Sequence, residues 1–459
     1  MNRAAKCLLV TLLGMSALSC REDEIVITIN VDSEQKISET HGNFEGELTA
    51  NSQFGSAVAV IGDLEADGVG DLVVGAPFQD NGGAVWVLFM DKDGTVDLET
   101  KIADSEGGFR GNLDDKDAFG SAVAGIGDLD GDGINDIAVG APLDDDGGND
   151  RGAVWILFLK ADGKVKSHQK ISDDAGKFRV ELENNDQFGT ALATLGDLDG
   201  DGITDLAVGA PFANNLRIET GAVWILFMDT DGTVKSHRRI SGRTGSLNDP
   251  LASGNLFGRS LANMGDLNKD GVTDLAVGSP GDDDGGLDRG VIWVLYLNTD
   301  GTVSREEKIS VTESSFVLPI EDGDHFGEVI ANAGDINEDG VTDLAEGIPF
   351  DDDGATDSGA VFILFINSDS EVLDLQKLSN TQGIFNGILN SDDHFGAAIA
   401  GIGDLNNRRG VDLAVGAPLD NDGGLNKGAF WILFMDEADT RTECERSALL
   451  RFLGIGNCQ

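Results

Sequence analysis

The residues in this chain best suited to chemistry lie in a nine-residue acidic segment, Asp128-Leu-Asp130-Gly-Asp132-Gly-Ile134-Asn-Asp136. Carboxylates at alternate positions converge on one side of a tight loop. Gly133 permits the sharp turn, and the carbonyl of Ile134 can point inward. Hard oxygen donors at positions 1, 3, 5, 7 and 9 suit Ca²⁺. Mg²⁺ fits less well, because it demands a tighter octahedral shell and retains water.

The segment recurs. Later copies offer Asp197, Asp199, Asp201, Ile203 and Asp205; Asp266, Asn268, Asp270, Val272 and Asp274; and Asp335, Asn337, Asp339, Val341 and Asp343. An earlier copy offers Asp63, Glu65, Asp67, Val69 and Asp71, where Glu65 is a longer ligand than its neighbours. The donor order is similar to that of an EF-hand loop, without its flanking helices or its twelfth-position Glu. One copy alone could be an Asp-rich turn that caps strands. The alternating pattern in four good copies points to metal. A sixth copy keeps Asp404 and Asp412 but places Arg408 at a ligand position and Arg409 at the turn glycine. A guanidinium repels a divalent cation and is expected to pair with Asp404 and Asp412 itself. About five calcium sites are therefore expected, and none in the sixth copy.

Other candidate chemistry is sparse. A second acidic set comprises Asp144-Asp145-Asp146, Asp282-Asp283-Asp284, Asp351-Asp352-Asp353 and Asp420-Asn421-Asp422. Solvated loops conferring solubility are the plain reading, and an acidic partner surface holding extra cations the sharper one. Gly125-Ile-Gly127 leads into an acidic loop rather than a helix and lacks a third glycine in place, so it is no dinucleotide fingerprint. There is no Gly-x-Ser-x-Gly, His-Glu-x-x-His or Cys-x-x-Cys. His168 and His237 share one repeat position, and His325 and His394 another, which argues against a unique catalytic histidine. No catalytic residue is nominated, and the chain is not expected to be an enzyme.

These loops need a scaffold that repeats with them. Phe-Gly recurs at Phe54, Phe119, Phe188, Phe257, Phe326 and Phe395, at spacings of 65 and then 69 residues. Each unit offers four short strands, as in Ser121–Ile126, Asp136–Gly140, Ala153–Phe158 and Lys164–Ile171. The second and third are continuous apolar runs, which suit strands buried on both faces. The fourth alternates, is polar, and follows an Asp162-Gly163 hairpin turn. Six such units predict an all-β, six-bladed β-propeller of four-stranded antiparallel blades. The sixth unit ends at Met435 without a fourth strand, while an orphan Gln35-Lys36-Ile37-Ser38 precedes the first unit. The N-terminal strand should therefore complete the last blade and close the ring. Trp86, Trp155, Trp224, Trp293 and Trp431 share one repeat position, with Phe362 in the fifth unit, and read as inter-blade core.

Composition sets outer limits. Acids number 82 and bases 32, for a net charge of −50, which repels phosphate backbones and excludes nucleic-acid binding. Residues 1–20 read as an export signal, with Arg3 and Lys6 before a 12-residue apolar stretch, Cys7–Leu18, too short to span a membrane. Ala17-Leu18-Ser19-Cys20 resembles a bacterial lipobox, which makes Cys20 the expected lipidation site and the lipid the only membrane attachment. Setting aside Cys7 and Cys20 leaves Cys444 and Cys458, which suggest one disulfide in an exported chain. Residues 21–435 form the repeat domain, and 436–459 a C-terminal tail with a short helix expected around 445–453.

Phe-Gly followed by Gly-Ala-Pro, with an acidic loop between them at fixed spacing, resembles the FG-GAP repeat of integrin α-subunit propellers. The resemblance runs from Ile25 to Met435. It departs in copy number, six against the seven of integrin-type propellers, and the chain looks like a bacterial FG-GAP protein. The resemblance implies calcium in the acidic loops and a ligand face on the opposite side. The function expected is a calcium-stabilised binding or adhesion propeller, secreted or at the cell surface, presenting loops to an extracellular protein or a glycan. Alternatives are a propeller hydrolase and a purely structural envelope protein.

Overall fold

The computed structural model describes residues 29–435, apart from 215–218, 243, 245, 246, 315–317, 384 and 409. Cys20, the Cys444–Cys458 pair, the export signal and the tail helix lie outside the described residues.

Six four-stranded antiparallel sheets form the ring. Blade two shows the unit: Ala122–Gly127, Asp136–Ala141, Ala153–Leu159 and Val165–Ile171, within a residue of the expected bounds at each end. The second and third strands are buried along their whole length, and the fourth is half-buried. First strands of neighbouring blades pack against one another around the axis. The N-terminal strand Val31–Ile37 pairs with Ala429–Met435 and completes the sixth blade. Its register repeats that of the other outer strands: Lys36 faces Trp431 as Lys170 faces Trp155 and Lys308 faces Trp293.

Two glycines of each unit explain how neighbouring blades meet. The Phe-Gly phenylalanine forms a parallel bridge to the glycine preceding the third strand of the previous blade, from Gly83↔Phe119 round to Phe54↔Gly428. The next residue, such as Gly120, lies against the glycine of the previous blade's Val-Gly-Ala-Pro. A Cβ on Gly75 would sit 2.0 Å from the carbonyl oxygen of Gly120, and one on Gly416 would sit 2.0 Å from that of Gly55. Backbone meets backbone there, so no side chain fits.

The tryptophans are buried as expected, each at 6% exposure or less. Among the described residues, a further aromatic joins them from the long connection before Phe-Gly in four of the blades. Phe109 stacks on Phe119 at 5.3 Å and meets Trp155 edge-on at 5.1 Å. Phe44, Phe178 and Phe385 repeat this in blades one, three and six. Such triads fill the wedge between blades with rigid area.

Candidate metal-binding loops

The acidic loops join first and second strands, so all six lie on one face of the ring. In blade two the shape comes from backbone amides turned onto carboxylates. Asp128 accepts from the amides of Asp132 and Gly133 at 2.9 and 2.8 Å, and Asp132 from that of Ile134 at 3.0 Å. Gly133 has φ +92, where a Cβ would strain the backbone. The same amide pattern recurs in blades three, four and five.

The ninth position has a different role. Asp136 is 1% exposed, and its two oxygens accept the amides of Leu129 at 3.1 Å and Leu159 at 2.9 Å. It ties the loop to the end of the third strand. Burial pushes its carboxyl up to about 6, against the lowering effect of those amides. Asp71, Asp205, Asp274 and Asp412 are likewise pushed to about 6, and Asp343 to about 7. Seventh-position side chains face inward: Val69 lies in the inter-blade core, and Ile134, Ile203, Val272 and Val341 pack against it.

Asp128, Asp130 and Asp136 place carboxylate oxygens within 4.8 Å of one another, and Asp197, Asp199 and Asp205 do the same. Convergent carboxylates of this kind fit a hard cation. Asn268 and Asn337 replace one charge in blades four and five with a neutral oxygen donor. In blade one Glu65 is pushed up to about 7, first by lost solvation and then by Asp71, Asp67, Asp97 and Asp63. That crowding is what a cation would relieve.

Blade six differs from expectation in its partner. The amide of Arg408 donates to Asp404 at 2.9 Å, which keeps the loop's shape. Asp412 instead accepts the amides of Leu405 and Met435, at 2.9 and 3.0 Å. The guanidinium lies 3.5 Å from Asp32 on the N-terminal strand. The physical reason is position: Asp32, on the strand that completes the blade, faces the loop from the outer edge.

In blades two, five and six the outer aspartates of the second acidic set pair with an outer-strand lysine, whereas in blade four Lys308 pairs with Asp249, and Asp284 accepts from Ser310 and Thr312 instead. Lys170 lies 2.6 Å from Asp144 and also pairs with Asp146, while its ammonium sits 5.2 Å from the Trp155 ring centre. Lys36 bridges Asp420 and Asp422 at 2.5 and 2.7 Å, and Lys377 bridges Asp351 and Asp353 at 2.6 and 2.7 Å. The Lys-Ile-Ser signature was visible in the sequence, but not what its lysine touches.

A central channel of about 550 Å³ is lined at one repeat position by Ser56, Ser121, Thr190, Arg259, Glu328 and Ala397. Arg259 and Glu328 break the repeat, and pair with each other at 2.5 Å. Behind them Glu346 is fully buried where the other blades have valine.

Comparison with known proteins places these features. The FG-GAP repeat family matches residues 54–88, 119–157, 188–226 and 257–295, which are blades one to four. The chain is 40% identical over 235 residues to mouse (Mus musculus) integrin alpha-2, covering 50% of this chain and 18% of that protein. It is 33% identical over 240 residues to Xenopus laevis integrin alpha-5, covering 51% and 20%. It is 35% identical over 164 residues to Drosophila melanogaster integrin alpha-PS5, covering 36% and 15%. The match thus spans a fifth or less of each relative's length.

Proposed function

We propose that this chain, an integrin-like FG-GAP repeat protein, is an exported binding or adhesion propeller whose acidic loops hold calcium in five blades. The observation that carries this reading is the convergence of repeated carboxylates on one face of a closed ring. Positions 1, 3, 5 and 9 of each loop would hold the ion with the seventh carbonyl. Bound calcium would neutralise the crowded carboxylates and stiffen the loop. The structure would then be a rigid platform, and the partner an extracellular protein or glycan on the opposite face.

Binding is favoured over catalysis because the charged pair that breaks the repeat in the channel, Arg259 and Glu328, is mutually neutralised. Cell-surface placement through a lipidated Cys20 belongs to the same proposal. Calorimetric titration of the chelated protein tests the metal. Four or five sites are expected, and Asp132→Ala should remove one. Binding within 404–412 of the unmutated protein would overturn the metal-free assignment of blade six. A glycan and protein array, read with and without chelator, tests the role. Binding that ignores chelation, or no binding alongside turnover of a substrate, would favour the alternatives.

A further inference from the structure

Each outer strand opens with a valine paired to the last residue of the third strand: Met90↔Val96, Leu159↔Val165, Met228↔Val234, Leu297↔Val303, Ile366↔Val372 and Met435↔Val31. The next residue is therefore structurally equivalent in all six blades. It is Asp97, Lys166, Lys235, Ser304, Leu373 and Asp32.

In blade two the Lys166 ammonium lies 2.7 Å from Asp130 and 2.5 Å from Asp132. In blade three Lys235 lies 2.6 Å from Asp199 and also pairs with Asp201. Each ammonium thus occupies carboxylate oxygens of loop positions 3 and 5. Blade six has the same contact with the charges exchanged, Arg408 in the loop and Asp32 on the strand, at 3.5 Å. Blade four has Ser304, whose hydroxyl donates to the Tyr296 carbonyl at 2.9 Å, and blade five has the exposed Leu373. Blade one has Asp97, a further negative charge.

We propose that this outer-strand residue sets the calcium demand of its loop, and that Lys166 and Lys235 are resident cations that calcium must displace. The proposal rests on the calcium reading above. A tethered ammonium supplies positive charge without a binding entropy cost, but it is monovalent and takes two oxygens, where calcium takes more. Blades two and three then keep compensated loops when calcium is scarce and bind it more weakly. Blades one, four and five carry no cation at this outer-strand position and bind it more tightly. Blade six is compensated permanently.

The test titrates calcium into the full chain and into a Lys166→Met, Lys235→Met double variant, with melts in chelator alongside. Two affinity classes are expected for the parent. In the variant the weaker class should tighten by about two- to fivefold, while the melting temperature in chelator falls. A Ser304→Lys variant, at a solvent-facing position, should weaken one tight site by a similar factor. Calcium bound with unchanged or lower affinity in the double variant would overturn the proposal and leave the calcium reading standing. No calcium bound by either protein would overturn both.

Discussion

Within one loop, chemically identical aspartates do unlike work, and the difference is measurable. Asp136 anchors two buried amides, whereas Asp132 is solvated and paired with Lys166. Asp136→Ala strands both amides and should cost about 2–4 kcal/mol even in chelator. Asp132→Ala in chelator should cost far less, and lose its stabilisation by calcium. Chemical denaturation of both variants with and without calcium checks this; equal losses in chelator would refute the division of roles. Glu346 makes a pH prediction. In the other blades the Phe-Gly amide donates to a strand-two carbonyl, as Gly120 does to Gly140 at 3.0 Å. In blade five Gly327 donates to Glu346 Oε1 at 2.7 Å instead. Full burial raises this carboxyl well above its ordinary 4.5, with Glu328 adding to the shift. A raised acid is favoured neutral in the fold only. Its penalty is absent below about 4.5 and grows as pH rises toward the folded value, by at most about 1.4 kcal/mol per pH unit. Glu346→Val restores the repeat residue and frees the amide for the Gly347 carbonyl. The variant should outlast the parent at pH 7 and lose that advantage near pH 4, read by paired thermal melts.

Among the elements, the N-terminal strand and the long connections decide whether the ring holds. Deleting Val31–Ile37 exposes the edge of Ala429–Met435, a fully buried strand. The deletion should lower the melting temperature sharply and promote aggregation, because an unpaired apolar edge is a template for other chains. Light scattering and a melt check this; a monomer with an unchanged melt would mean the strand closes nothing. The connections contribute by their aromatics. Phe109→Ala removes a ring that is 1% exposed from between Phe119 and Trp155, and should cost about 3–5 kcal/mol by equilibrium denaturation. The repeat position of this phenylalanine was legible at Phe44, Phe109, Phe178, Phe316 and Phe385. What hid it was its setting, an irregular polar connection that shows no periodicity.

For the whole molecule, charge outweighs every other surface property. A net charge of −50 concentrated in loops repels itself in the absence of cations. At millimolar calcium and a dissociation constant near 10⁻⁴ M, each occupied loop would add about 1.4 kcal/mol. Chelation should therefore lower the melting temperature at low ionic strength, and added monovalent salt should recover only part of the loss. A melt unaffected by chelator and by salt alike would contradict that account.

The amino-acid sequence alone determined the blade count, the strand order, the closing strand and the acidic loops, since each of these is a periodic signal repeated six times. The copies agree because each blade solves the same packing problem against its neighbours. Tertiary structure decided what lies between repeats. It showed that Arg408 reaches Asp32, that Lys166 and Lys235 sit on the loop carboxylates, and that outer-strand lysines bridge the second acidic set in blades two, five and six. These pairs join residues tens to hundreds of positions apart, on strands brought together only by the hairpin register and by ring closure. Spacing shows which residues repeat. Which charges meet is decided by where the blade edges place them.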